Sequence, residues 1–135
     1  MTQNYFQKIQ QICDRFSLDL LYAFGSRGRE LKRIVDGQTE EPDPTNRADF
    51  DLAVKMSPGK RLNARDKSRL AIEFEELFKI RQVDLVAIEE VDPFVATNII
   101  RGERLFCRDE YHADNYELYL LRRAGAAGCH CPCPV

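Results

Sequence analysis

Apolar residues recur at intervals of three and four through the first segment, at Tyr5, Phe6, Ile9, Ile12, Cys13 and Phe16, which predicts an amphipathic helix. LDLLYAF, residues 18–24, is a nearly continuous apolar run stopped by a glycine, the pattern of a buried strand. SRGRELKRIV (26–35) suits a helix opening on a serine. Residues 36–47, DGQTEEPDPTNR, hold two prolines, a glycine and no apolar residue, and predict a mobile loop outside the core. A strand follows over 48–54. A helix then places Leu70, Ile72, Phe74, Leu77 and Phe78 largely along one stripe, with Gly59 just upstream.

VDLVAI (83–88) predicts a third strand, and DPFVATNIIRG a helix with Asp92 as N-cap, Pro93 in the first turn and Gly102 as its stop. ERLFC supplies a short fourth strand, and ADNYELYLLRRAG a closing helix that ends at Gly125. Strands alternating with helices give an α/β (α+β) fold, a small mixed sheet flanked by helices. The expected domain spans residues 1–124 with an insertion loop at 36–47, and the Cys/Pro-rich stretch 125–135 is expected to be a disordered tail.

Composition narrows the function. At 135 residues, 44% hydrophobic and 31% charged, the chain has the length and balance of one globular domain. A formal charge of −2 argues against a general nucleic-acid coat, which needs an excess of Lys and Arg, yet leaves room for one bound nucleotide. No apolar run approaches the length of a membrane helix and the polar start MTQNYFQKIQ is no secretory signal, so a cytoplasmic location is expected. Cys13 and Cys107 sit in apolar segments as packed thiols. Cys129, His130, Cys131 and Cys133 crowd the terminus, but their alternating spacing matches no C-x-x-C knuckle and no second ligand pair lies upstream.

The candidate chemistry starts at two aspartates one residue apart. Strand residues i and i+2 project from one face, so Asp49 and Asp51 point one way while Phe50, Leu52 and Val54 point into the core. Two carboxylates on one face repel each other, and their burial is costly without a cation. Asp84, in the middle of another apolar strand, adds a third acid and completes a plausible Mg²⁺ set. An isolated D-x-D is more often an exposed sheet face. Gly25 and Ser26 change that balance, because Gly25 allows the backbone to approach a ligand closely, and a strand, a small-residue turn and a helix N-terminus form an anion site. Arg27 and Arg29 add charge-assisted donors. A phosphate cradle beside three carboxylates describes nucleotidyl transfer from a metal-bound triphosphate.

FGSR (24–27), ADFDLAV (48–54) and VDLV (83–86), in that order, resemble the DNA polymerase β-type nucleotidyltransferase superfamily, and within it the minimal nucleotidyltransferase (MNT) domains of the MntA-like antitoxins. The resemblance extends over roughly the first 108 residues. It implies that Gly25, Ser26 and Arg27 bind the nucleotide's phosphates, that Asp49 and Asp51 bind two Mg²⁺ ions, and that Asp84 completes the metal site and assists deprotonation of the attacking hydroxyl. Two departures stand out. Twenty-two residues separate Ser26 from Asp49, more than the compact spacing usual in the family, and position 48 is Ala where serine is common. The surplus matches the polar loop at 36–47, and lengthening a loop adds little closure cost.

MNT proteins often pair with a HEPN-type helical ribonuclease toxin. The resemblance implies transfer of AMP from ATP to a tyrosine of that toxin, within a hetero-oligomer. Two other readings stay open: a noncatalytic toxin-binding antitoxin on the same fold, and nucleotidyl transfer to a small molecule. Retention of all three acids favours activity. No segment reads as a separate acceptor-binding domain, which favours an acceptor presented by another protein. Tyr111, Tyr116 and Tyr119 are candidates for self-modification, though tyrosines on a terminal helix more often pack against the core or a partner.

Overall fold

The computed structural model describes residues 5–38 and 41–128. Among the described residues nine helices and strands follow one another: α1 (Tyr5–Phe16), β1 (Leu18–Phe24), α2 (Gly28–Val35), β2 (Phe50–Met56), α3 (Ala64–Phe78), β3 (Val83–Ala87), α4 (Pro93–Ile100), β4 (Glu103–Cys107) and α5 (Glu110–Gly128). Short 3₁₀ turns at Gly25–Arg27 and Ile88–Glu90 lead into α2 and towards α4. The sheet order is β3-β2-β1-β4, parallel between β2 and β3 and antiparallel elsewhere, so the mixed sheet expected from the pattern is present.

Alternation along the strands divides the core between the two faces. One face packs Leu21, Leu52, Val54 and Leu85 against Ile9 and Ile12 of α1, Leu31 and Ile34 of α2, and Leu70, Phe74 and Phe78 of α3. The other packs Leu20, Tyr22, Ala53 and Ile88 against Ala96 and Ile99 of α4 and Ala113 and Leu120 of α5. The Tyr22 hydroxyl donates to Glu117, which also accepts from Arg104, and this ties the central strand to α5. Asp92 caps α4 as its position predicts, accepting from the N–H groups of Phe94 and Val95. Asn63 does the same for α3 through the Asp66 N–H.

Several boundaries differ from those the pattern predicts. The strand expected over 48–54 runs from Phe50 to Met56, so Asp49 precedes it. Ser26 lies in a 3₁₀ turn and caps nothing, because α2 opens only at Gly28 with Arg27 at its N-cap position and no side-chain cap bond. Ile72 is exposed, being two residues from both Leu70 and Phe74 and so about 200° around the helix from each. Phe6 is exposed as well. Helix α5 continues past Gly125 to Gly128, so a boundary after residue 124 falls within the helix. No side chain or backbone crowds Gly125, where the intrinsic helix penalty is only about 1 kcal/mol. The Cys129–Cys133 cluster lies outside the described residues. Among the described residues, no helix is long and apolar enough to cross a membrane.

Candidate active site

Three chain segments meet at one end of the sheet. The last residue of β1, Phe24, is the register partner of Asp51, and Asp51 is the register partner of Asp84. Because β2 and β3 run parallel and start together, these two acids stand side by side on strands about 4.8 Å apart. Asp49 lies one residue before β2, on the side of the chain that alternation gives to Asp51, while Phe50 between them is buried in the core. Asp51 is half-buried, and Asp49 and Asp84 are exposed.

Gly25 closes the site from the β1 side. Its φ is +74°, a left-handed conformation that favours glycine, and a Cβ there would lie 2.3 Å from Asp51 Oδ2. The close backbone approach expected at Gly25 is thus an approach to the carboxylate itself. Ser26 follows, exposed at the mouth of the same turn.

Among the described residues nothing compensates the charge of the acids. Burial pushes the Asp51 carboxyl above its ordinary range, and the neighbouring charges of Asp84 and Asp49 push it further in the same direction. Among the described residues none donates a hydrogen bond to these three carboxylates or forms an ion pair with them. No three His, Cys, Asp or Glu side chains among the described residues already stand close enough to form a finished metal site. A cation would therefore have to draw the carboxylates inward. Their donor set fits a hard divalent cation: oxygen ligands only, on adjacent strands, with an unmet negative charge.

Arg27 is placed differently from the other predicted site residues. Its side chain is 5% exposed and lies under the insertion loop, its guanidinium carbon 3.9 Å from the centre of the Phe50 ring. The expectation that it reaches a phosphate does not fit this placement. Sequence reasoning also missed Glu30, which accepts two bonds from Arg27 and one from the Asp43 N–H. The i,i+3 spacing of Arg27 and Glu30 was the one signal available. The loop itself is partly anchored, since Asp43, Asn46 and Ala48 all offer carbonyls to Arg27. A cavity of about 680 Å³ lies beside it, lined in part by Arg27, Pro42, Arg47, Phe50, Lys79 and Arg81. The three acids do not line that cavity.

Comparison with known proteins bears on the family and the fold. The family model described as "Polymerase beta, Nucleotidyltransferase" matches residues 7–111. No curated protein sequence matches the chain. Among solved structures, a chain from a mutant MntA–HpeT toxin–antitoxin complex is similar with a TM-score of 0.66 at 15% identity, over 90% of this chain and 88% of that one. A toxin–antitoxin structure with AMP-PNP gives 0.65 at 17% identity, with 90% and 88% covered. The complex of a tri-AMPylated Shewanella oneidensis HEPN toxin with its MNT antitoxin gives 0.63 at 17%, with 94% and 89% covered. At these identities the likeness is one of fold. With the family model spanning most of its length, the chain belongs to the polymerase β nucleotidyltransferase family and has the fold of its minimal, MNT-type domains.

Proposed function

We propose that this protein is a cytoplasmic MNT-type antitoxin that transfers AMP from ATP to a hydroxyl, a tyrosine hydroxyl in particular, of a partner HEPN-type ribonuclease toxin. The observation that carries the proposal is the placement of Asp49, Asp51 and Asp84 beside the Gly25 turn with no cation among the described residues paired to them. Structures of similar fold include a toxin–antitoxin complex with AMP-PNP and a tri-AMPylated HEPN toxin with its antitoxin, which supports this choice of nucleotide and partner.

In this mechanism Gly25 and Ser26 seat the triphosphate. The turn carries no side chain at Gly25, which leaves the backbone free to approach both Asp51 and a phosphate. Asp49 and Asp51 would hold two Mg²⁺ ions, with Asp84 completing the set. Bound magnesium would neutralise charge on the phosphoryl oxygens and on the departing pyrophosphate. The acceptor oxygen attacks the α-phosphorus, a new P–O bond forms, and the bond to the bridging oxygen of pyrophosphate breaks. The hydroxyl proton passes to a carboxylate, for which exposed Asp84 is the candidate. Protein-bound AMP and pyrophosphate are the products.

The test is transfer of label from ATP to a HEPN-type helical partner protein, compared for wild type, Asp49→Asn and Asp51→Asn. Loss of transfer in both variants, with folding intact, is expected. Transfer at the wild-type rate in both would remove the acids from catalysis. Toxin neutralisation without any transfer would favour the noncatalytic antitoxin.

A further inference from the structure

We propose that Arg27 and Glu30 form a clamp that sets where the inserted loop delivers Asp49, making them positioning residues for the acid site rather than ligands to the nucleotide. The inference rests on the acid site being the metal–nucleotide site.

An arginine side chain has five N–H groups and no acceptor. In Arg27 the Nε donates to Glu30 Oε1 at 2.8 Å, and Nη2 donates to Glu30 Oε2 at 2.7 Å and to the Asp43 carbonyl at 3.4 Å. Nη1 donates to the carbonyls of Asn46 and Ala48, each at 3.0 Å. These five bonds match the five donors, so none is left for a phosphate. The side chain is also buried, with its guanidinium over the Phe50 ring.

The acceptors explain what the clamp does. The Ala48 carbonyl belongs to the peptide that leads directly into Asp49. On the other side of Asp49, the Phe50 N–H donates to the Gln82 carbonyl at 3.1 Å, where β2 begins beside β3. Asp49 is thus held between two fixed peptides, one bound by Arg27 and one by the turn before β3. Glu30 extends the hold by accepting the Asp43 N–H at 2.6 Å. The Arg27 hydrogen bonds keep the Glu30 carboxyl below its ordinary range, and the bond from the Asp43 N–H acts in the same direction.

The long insertion makes such a device necessary. Residues 36–49 join α2 to β2, and the described ones among them form no strand or helix. A connection of that length leaves the approach to β2 loosely defined, whereas a planar guanidinium bound to the carbonyls of Asp43, Asn46 and Ala48 defines it. Lysine cannot replace it, because a single ammonium lacks the fork that spans Glu30 and two carbonyls at once.

The experiment uses the full chain with Arg27→Lys, Arg27→Met and Glu30→Gln, and two readouts. The first is hydrogen exchange in metal-free protein. Protection should fall at the amides of 48–50, while the core strand amides at Leu52 and Val54 keep theirs. The second is the Mg²⁺ concentration giving half-maximal ATP binding. In Arg27→Lys it should rise about tenfold or more, the scale seen when groups that orient metal ligands are removed. Saturating Mg²⁺ should then restore most of the ATP affinity, and Glu30→Gln should show the same pattern to a smaller degree. A phosphate ligand would behave otherwise: ATP affinity would stay low at every Mg²⁺ concentration and the midpoint would not move, which would overturn the clamp. Unchanged exchange at 48–50 would overturn it too. If the Arg27 variants do not fold, Glu30→Gln decides by the same two readouts. Failure of the wild type to bind ATP with Mg²⁺ would reject the proposed function instead, and the metal-free exchange would still judge the clamp.

Discussion

Gly25→Ala isolates the contact on which the site geometry turns. Two costs add at this position. An alanine at φ +74° sits in the left-handed region, at about 1–2 kcal/mol. Its Cβ would also stand 2.3 Å from Asp51 Oδ2 and a tight 3.3 Å from Asp51 Cγ, with Asp51 Cβ at an ordinary 3.5 Å. The carboxylate is in the way, so Asp51 has to rotate off its rotamer at roughly 0.5–1.5 kcal/mol. The fold should survive with a loss of about 2–3 kcal/mol, seen as a melting temperature lower by roughly 5–10 °C. The displaced carboxylate should weaken Mg²⁺-dependent ATP binding about tenfold or more. Gly59→Ala is the control, since Gly59 has φ +80° and a methyl group there would meet nothing within 4 Å. It carries the backbone cost alone and should leave ATP binding unchanged. Calorimetric ATP titration and thermal melts of both variants check this. The reasoning is refuted if Gly25→Ala binds ATP within twofold of wild type, or if Gly59→Ala loses as much.

Asp51→Asn should abolish Mg²⁺-dependent ATP binding yet stabilise the metal-free protein at neutral pH by less than about 1 kcal/mol, the scale of a like-charge pair on adjacent strands. The Asp51 carboxyl is raised in the folded state, so the stability it contributes is present at low pH and lost as pH rises through the raised value. The advantage of the variant should therefore fade on acidification, and urea melts across pH 3–7 check the sign. Glu30 runs the other way: its lowered carboxyl contributes stability that is lost as pH falls, so acid should loosen residues 43–48 first, as hydrogen exchange would report. Tyr22→Phe removes a hydroxyl bonded to Glu117 and should cost about 1–2 kcal/mol in urea unfolding while leaving ATP binding intact. Excising residues 37–41 should preserve the fold and the Asp49 position, whereas a deletion reaching Ala48 removes the carbonyls that Arg27 holds and should impair both by melts and ATP titration.

The face on which Asp51 stands was legible because strand alternation is a strong rule. Phe50, Leu52 and Val54 are buried on one face, which forces Asp51 to the other, and Asp84 lies opposite it in the parallel register. Gly25 was legible as a close-approach position, although the object approached is Asp51 itself. The role of Arg27 was not legible, because three of its acceptors are backbone carbonyls 16 to 21 residues downstream, and carbonyls leave no mark in a sequence. For the same reason the loop's polar composition suggested a mobile segment and concealed its anchor. At Ile72 hydrophobicity alone overruled the helical angle, and at Gly125 a residue that often ends helices sits in a helix that continues.

The central claim is that Gly25, Ser26 and the three aspartates form one metal–triphosphate site, and titration of ATP into the wild-type protein with and without Mg²⁺ tests it most directly. Saturable binding that requires Mg²⁺, and that disappears in Asp49→Asn and Asp51→Asn, is the result this account predicts. Equal affinity with and without the metal, or no binding in either condition, would contradict it.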